Sequence, residues 1–117
     1  MNMPIKIIEQ TISRAELAEL AKERFGDLIK AVVDVDRGIM AVGGELHADE
    51  EALLLENGSK QKDIWGINIY PDRSGDKFVE FDSMINIRPS QKNRSRGVED
   101  PETRKLIIKT VGLLVRE

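Results

Sequence analysis

Residues 27–44 read DLIKAVVDVDRGIMAVGG, and the fold turns on whether they form one helix or two strands. At helical period, Leu28, Val32, Val35, Ile39 and Val42 fall on one stripe, widened by Ile29, Val33 and Met40, and Gly43-Gly44 ends the helix. At period two, residues 30–35 and 39–42 make a hairpin around Asp36-Arg37-Gly38. The β-branched content favours strands, and so does Gly38, because glycine costs a helix interior ~1 kcal/mol. Five successive hits on one stripe outweigh a generic turn tripeptide, so the sequence predicts a helix over 28–42, with the hairpin as the alternative.

The flanks are clearer. Upstream, residues 4–10 (PIKIIEQ) form a short apolar run expected as an edge or swapped strand. Ser13-Arg14-Ala15-Glu16 is a capping box, followed by Leu17, Leu20 and Ala21 at helical spacing and by Gly26 as C-cap, which predicts a helix over 14–25. Downstream, alternation in Glu45-Leu46-His47-Ala48-Asp49 predicts a strand, and residues 52–56 lean the same way before the Asn57-Gly58 turn. Strands are expected over 64–70, ended by Pro71, and 78–88, ended by Pro89, since proline cannot donate to a ladder. Asp100-Pro101-Glu102 starts a last helix over 101–115. The expected fold is α+β: two layers, a mainly antiparallel sheet of three to five strands, and about three helices on one face.

The chain has 117 residues, a net charge of −3 and no cysteine. That length reads as a single domain, residues 1–117, able to bury a core without metal or disulfide. Thiolate zinc sites and disulfide frameworks are excluded. No apolar run approaches the ~18 residues of a membrane span, and the N-terminus lacks a signal-peptide pattern, so the expected location is cytoplasmic. The acidic balance argues against bulk nucleic-acid binding but leaves room for a local basic patch.

Parity sorts the strand residues. Trp65, Ile67, Ile69, Val79, Phe81, Ile85 and Ile87 are expected in the core. Asn68, Tyr70, Glu80, Asp82, Asn86 and Arg88 are expected on the opposite face, joined by His47 and its flanking carboxylates while Leu46 and Ala48 turn inward. Such a face is either the ordinary solvated side of a sheet or a shallow site. His47, the single histidine, with Glu80 and Asp82 forms the candidate catalytic set. A metal-assisted hydrolase would draw on Glu45 and Asp49 as well, an oxygen-rich set suited to Mg²⁺ or Mn²⁺, although no recognised metal motif is matched and no cofactor is expected.

The sharpest chemical feature is the basic stretch that follows. Arg88, Lys92, Arg94 and Arg96 fall within nine residues that contain no acid. Arg88, Ser90, Asn93, Arg94 and Arg96, with Asn86 and Tyr70, are the candidate ligand-binding residues, because arginine forks, hydroxyls and amides suit phosphate or carboxylate. Glu99, Asp100 and Glu102 offer the competing reading, in which Arg94 and Arg96 are paired within the protein. Sparse aromatics lower the case for single-stranded nucleic acid.

Four blocks carry a resemblance: residues 45–49 (ELHAD), 58–68 (GSKQKDIWGIN), 81–89 (FDSMINIRP) and 93–98 (NRSRGV). Together they resemble a family of small uncharacterised prokaryotic proteins, a domain of unknown function. The resemblance implies a stand-alone domain and no activity. The functional expectation is a binding module for an anionic ligand, RNA or a protein partner through the basic loop 88–97, with the metal-assisted hydrolase as alternative. The short N-terminal strand and small core add an expectation of homodimerisation.

Overall fold

The computed structural model describes residues 4–117. The 27–44 stretch is a hairpin: strands β3 (Ile29–Asp34) and β4 (Ile39–Val42) pair antiparallel, with Val33 opposite Met40. The predicted helix over 28–42 is therefore corrected. Its stripe misled because residues 31–34 and 39–42 are buried on both faces, and a solid apolar run satisfies either period. The turn decides between them. The Asp34 carboxylate accepts from the backbone N–H of Asp36 and Arg37, both at 3.0 Å, and from Ser59 Oγ at 2.6 Å. Gly38 closes the turn at a φ of +69° that side chains rarely adopt, its N–H donating to Asp34 O.

The hairpin is the middle of a five-stranded antiparallel sheet ordered β1-β4-β3-β5-β6, where β1 is Lys6–Ile8, β5 is Ile64–Ile69 and β6 is Val79–Glu80. A second, two-stranded sheet joins β2 (Ile12–Ser13) parallel to β7 (Val115–Arg116). Helix α1 (Arg14–Arg24) begins as expected, with Ser13 Oγ accepting from Glu16 N at 3.0 Å. Helix α3 (Pro101–Leu114) begins on Asp100, whose carboxylate accepts from Glu102 N and Thr103 Oγ1. The α+β class and the antiparallel sheet stand as predicted, and among the described residues no helix is long and apolar enough to cross a membrane.

The third helix is elsewhere than predicted. Residues expected as strands over 45–56 form α2 (His47–Glu56). Its start carries no polar N-cap: Leu46 occupies that position without a side-chain bond, so the usual sequence signal is missing. Parity is reversed with it. His47 is buried, whereas Leu46 and Ala48 are exposed.

The helices also divide between the faces. Leu17, Leu20, Ala21, Ile107, Val111 and Leu114 of α1 and α3 pack on Ala31, Val33, Trp65, Ile67 and Ile69, the larger core. Leu54 of α2 packs on the other side, against Val32, Ile39, Ala41 and Ile64. The face read as open and polar is thus covered in part, and Asn68 and Tyr70 of its polar row are buried.

The strand predicted over 78–88 stops at Glu80. Val79 is core as expected and Phe81 packs at its margin, but Ile85 joins the opposite cluster and Ile87 is exposed. A side chain takes the strand's place along β5. Asn86 accepts from Gly66 N at 2.8 Å and donates to Gly66 O at 2.9 Å, as a neighbouring strand's peptide would. Parity could not place Asn86, which is fully buried, because the chain has left the ladder.

Candidate functional site

The basic loop is largely spent on its own fold. Arg88, expected as a ligand-binding residue, is buried: its guanidinium stacks 4.0 Å over Trp65 and donates to Ile64 O at 2.7 Å and to Gln61 O. Asn93 donates to the carbonyls of Asn86 and Gly97, both at 2.8 Å, and accepts from Glu99 N. The backbone N–H groups of Arg94 and Ser95 form an anion-binding concavity, and Glu99 fills it, at 2.6 and 2.9 Å. These bonds hold the Glu99 carboxyl below its ordinary range. Arg96 pairs with Asp82 at 2.6 Å. The loop is bonded internally, but not through the expected pairs: Arg96 meets Asp82, Glu99 takes backbone N–H groups, Asp100 caps α3 and Glu102 meets Lys105. Ser90 and Arg94 lie exposed on the surface.

The carboxylate set disperses as well. Glu45 is exposed and lies 4.0 Å from Arg24, and Asp49 points out from the first turn of α2. Glu80 accepts from Asn68 Nδ2 at 2.8 Å and from the Tyr70 hydroxyl at 3.0 Å. Among the described residues no three His, Asp or Glu side chains come together to hold a metal ion.

Three expected site residues do converge, His47 and Asp82 from the catalytic set and Arg96 from the basic loop. They line one cleft of about 210 Å³, joined by Lys30 and Asn68. Ser83 and Ile85 line its side, and Leu46 and Met84 stand at it with 54% and 66% of their surface exposed. Sheet register builds the floor: Lys30 of β3 lies opposite Asn68 of β5, which lies opposite Glu80 of β6. The start of α2 adds Leu46, His47 and Ala48. Lys30 was missed because the helical reading of 27–44 hid it. In the hairpin it falls at period two with Val32 and Asp34, on the face opposite Ala31 and Val33.

His47 Nε2 lies 2.8 Å from Ile67 O. A carbonyl only accepts, so Nε2 carries the proton and Nδ1 carries the lone pair. Burial lowers the imidazole pKa, Lys30 and Arg96 add to the effect, and the Ile67 bond and Asp82 oppose it. The ring is neutral at pH 7. Asn68 is 8% exposed, its amide nitrogen is used by Glu80, and its Oδ1 has no partner among the described residues.

Behind the cleft, Glu50 is fully buried, with Oε2 accepting from Gly44 N at 2.9 Å. Its side chain packs so closely on Gly44 that a Cβ there would lie 2.8 Å from Glu50 Cγ. Burial raises the Glu50 pKa well above the ordinary range, outweighing the Gly44 bond and Lys30. In the unfolded chain it titrates at about 4.3. A pKa raised by folding contributes stability that is complete below that value and is lost as pH rises through the folded one. Glu50→Gln is expected to flatten the decline of stability above about pH 5, read as urea midpoints across pH. An unchanged slope would show that Glu50 ionises freely in the fold.

No curated protein and no solved structure matches the chain. A family model described as "Protein of unknown function (DUF5674)" matches residues 6–114. The blocks that build this architecture lie within that span: the α2 start, the β5 edge with Gly66, and the segment carrying Ser83, Asn86, Arg88 and Asn93. The chain belongs to the DUF5674 family of proteins of unknown function.

Proposed function

We propose that this protein is a binding module whose site is the cleft between the start of α2 and residues 82–85, and that it takes a small anionic ligand there. The observation that carries this is the convergence of Lys30, Arg96 and an uncapped helix start on one concavity. The first N–H groups of a helix have no intrahelical partner and sit at its positive end, which favours an anion. Neither cation belongs to a fully buried pair: the Arg96–Asp82 bridge is about half exposed, and Lys30 Nζ lies 5.1 Å from the Phe25 ring. Each would exchange that contact for a ligand. Of the basic loop 88–97, this reading keeps Arg96 as a ligand contact and gives Arg88, Asn86 and Asn93 to folding. Tyr70 holds Glu80 and so supports the floor through Asn68.

The test is a titration with sodium acetate and with inorganic phosphate, followed through backbone amide chemical shifts. The His47 and Ala48 amides are expected to move most. Lys30→Ala and Arg96→Ala are each expected to weaken binding about tenfold, ~1.4 kcal/mol, and added salt is expected to weaken it further. Shifts mapping elsewhere, or unchanged affinity in both variants, would remove the cleft as an anion site.

A further inference from the structure

Resting on the reading of the cleft as an anion site, we infer that its ligand is a monocarboxylate carrying a neutral hydrogen-bond donor on the adjacent carbon and an apolar side chain. Three observations carry this. Asp82 offsets the charge of Arg96, so Lys30 is the unbalanced cation, which matches one negative charge better than two. Two acceptors stand at the floor: Asn68 Oδ1, buried and without a partner among the described residues, and the second ring nitrogen of His47, Nδ1, left with a lone pair when Nε2 donates to Ile67 O. Acceptors left unmatched in a closed site are costly, and they disfavour a fully ionised phosphate group, whose oxygens only accept. A hydroxyl or amide N–H beside the carboxylate supplies what they lack. Finally, Leu46 and Met84 present apolar surface at the cleft. Burial of ligand carbon against such side chains is favourable in proportion to area.

An ammonium fits less well than a neutral donor, because Lys30, the cation that Asp82 does not offset, repels it. Two sources share the required chemistry: a free 2-hydroxy acid, and the C-terminal residue of a peptide, whose amide N–H stands beside its carboxylate. The volume of about 210 Å³ suits one such unit.

Isothermal titration with 2-hydroxy-4-methylpentanoate, 4-methylpentanoate, N-acetyl-leucine and leucine separates the cases. The hydroxy acid or the acetylated residue is expected to bind at least tenfold tighter than 4-methylpentanoate and tighter than leucine. Whichever of the first two is tighter identifies the source. In Asn68→Leu the advantage over 4-methylpentanoate is expected to vanish. If that variant does not fold, the comparison in the unaltered protein decides alone. Equal affinity for 4-methylpentanoate and its 2-hydroxy derivative overturns donor recognition and leaves the anion site standing. Tighter binding of leucine overturns the neutral donor. Failure of all four, with acetate still shifting the His47 amide, overturns the ligand class. Failure of acetate as well overturns the site.

Discussion

Asn86→Leu is expected to destabilise the protein by about 4 kcal/mol, among the larger losses a single polar side chain gives. Asn86 is fully buried, and its amide bonds Gly66 N, Gly66 O and Arg96 O at 2.8, 2.9 and 3.0 Å. Leucine has similar volume, so the core is not emptied and the change reports the bonds. Each backbone group stranded in the interior costs roughly 1–3 kcal/mol, and Gly66 alone would lose two partners. Asn86→Asp separates the halves of the amide. The aspartate can still accept from Gly66 N but faces the oxygens of Gly66 and Arg96 with a carboxylate, so it too is expected to fold less stably, and least so at low pH. Urea unfolding measures both, as a lowered midpoint with unchanged m-value. A loss under about 1 kcal/mol in Asn86→Leu would mean that residues 81–98 dock on β5 by other means.

How much of this was legible depended on whether the pattern stayed local. Ser13 with Glu16, and Asp100 with Glu102, are contacts within four residues, and both helices began where those signals placed them. The hairpin was misread because burial on both faces removes the alternation that marks a strand. α2 was misread because Leu46 supplies no capping side chain, so an alternating ELHAD segment had nothing to contradict it. The long strand after Glu80 failed for a different reason. Asn86 and Arg88 use side chains to satisfy carbonyls about twenty residues away, on β5, and no periodicity encodes that. The two strand asparagines did carry a signal. Asparagine is unusual in strands, and both prove to be hydrogen-bonding devices: Asn68 on the cleft floor, Asn86 on the β5 edge. His47 and Asp82 were expected together on one strand face, and they meet instead at a cleft between the start of α2 and a loop, while Lys30 became visible once the hairpin set its register against Asn68.

Gly66→Ala is expected to be at least as damaging as the loss of Asn86, and to damage the cleft along with the fold. A Cβ at Gly66 would lie 2.6 Å from both Cβ and Oγ of Ser83 and 3.1 Å from Ile85 Cγ1. Neither partner can step aside cheaply. Gly66 is central in β5, opposite Val32 in a sheet buried on both sides, and Ser83 is itself buried, its N–H donating to Arg96 O at 2.9 Å. The segment 82–86 must therefore lift, which stretches the Asn86 bonds and carries Asp82, Ser83 and Met84 away from His47 and Lys30 across the cleft. Overpacking of this kind costs ~1–3 kcal/mol, and the stretched Asn86 bonds add to it, for a total expected near 4 kcal/mol. Ser83→Gly removes the colliding atoms. In the Gly66→Ala, Ser83→Gly double variant, about half of the lost stability is expected to return, a coupling of roughly 2 kcal/mol between residues in contact. Acetate binding reads the same displacement independently. It is expected to fall in Gly66→Ala under conditions where the variant is still folded, and to recover in the double variant. Additive losses, with no coupling, would mean that the strand moves instead of the loop, and the cleft would then owe its shape to α2 alone.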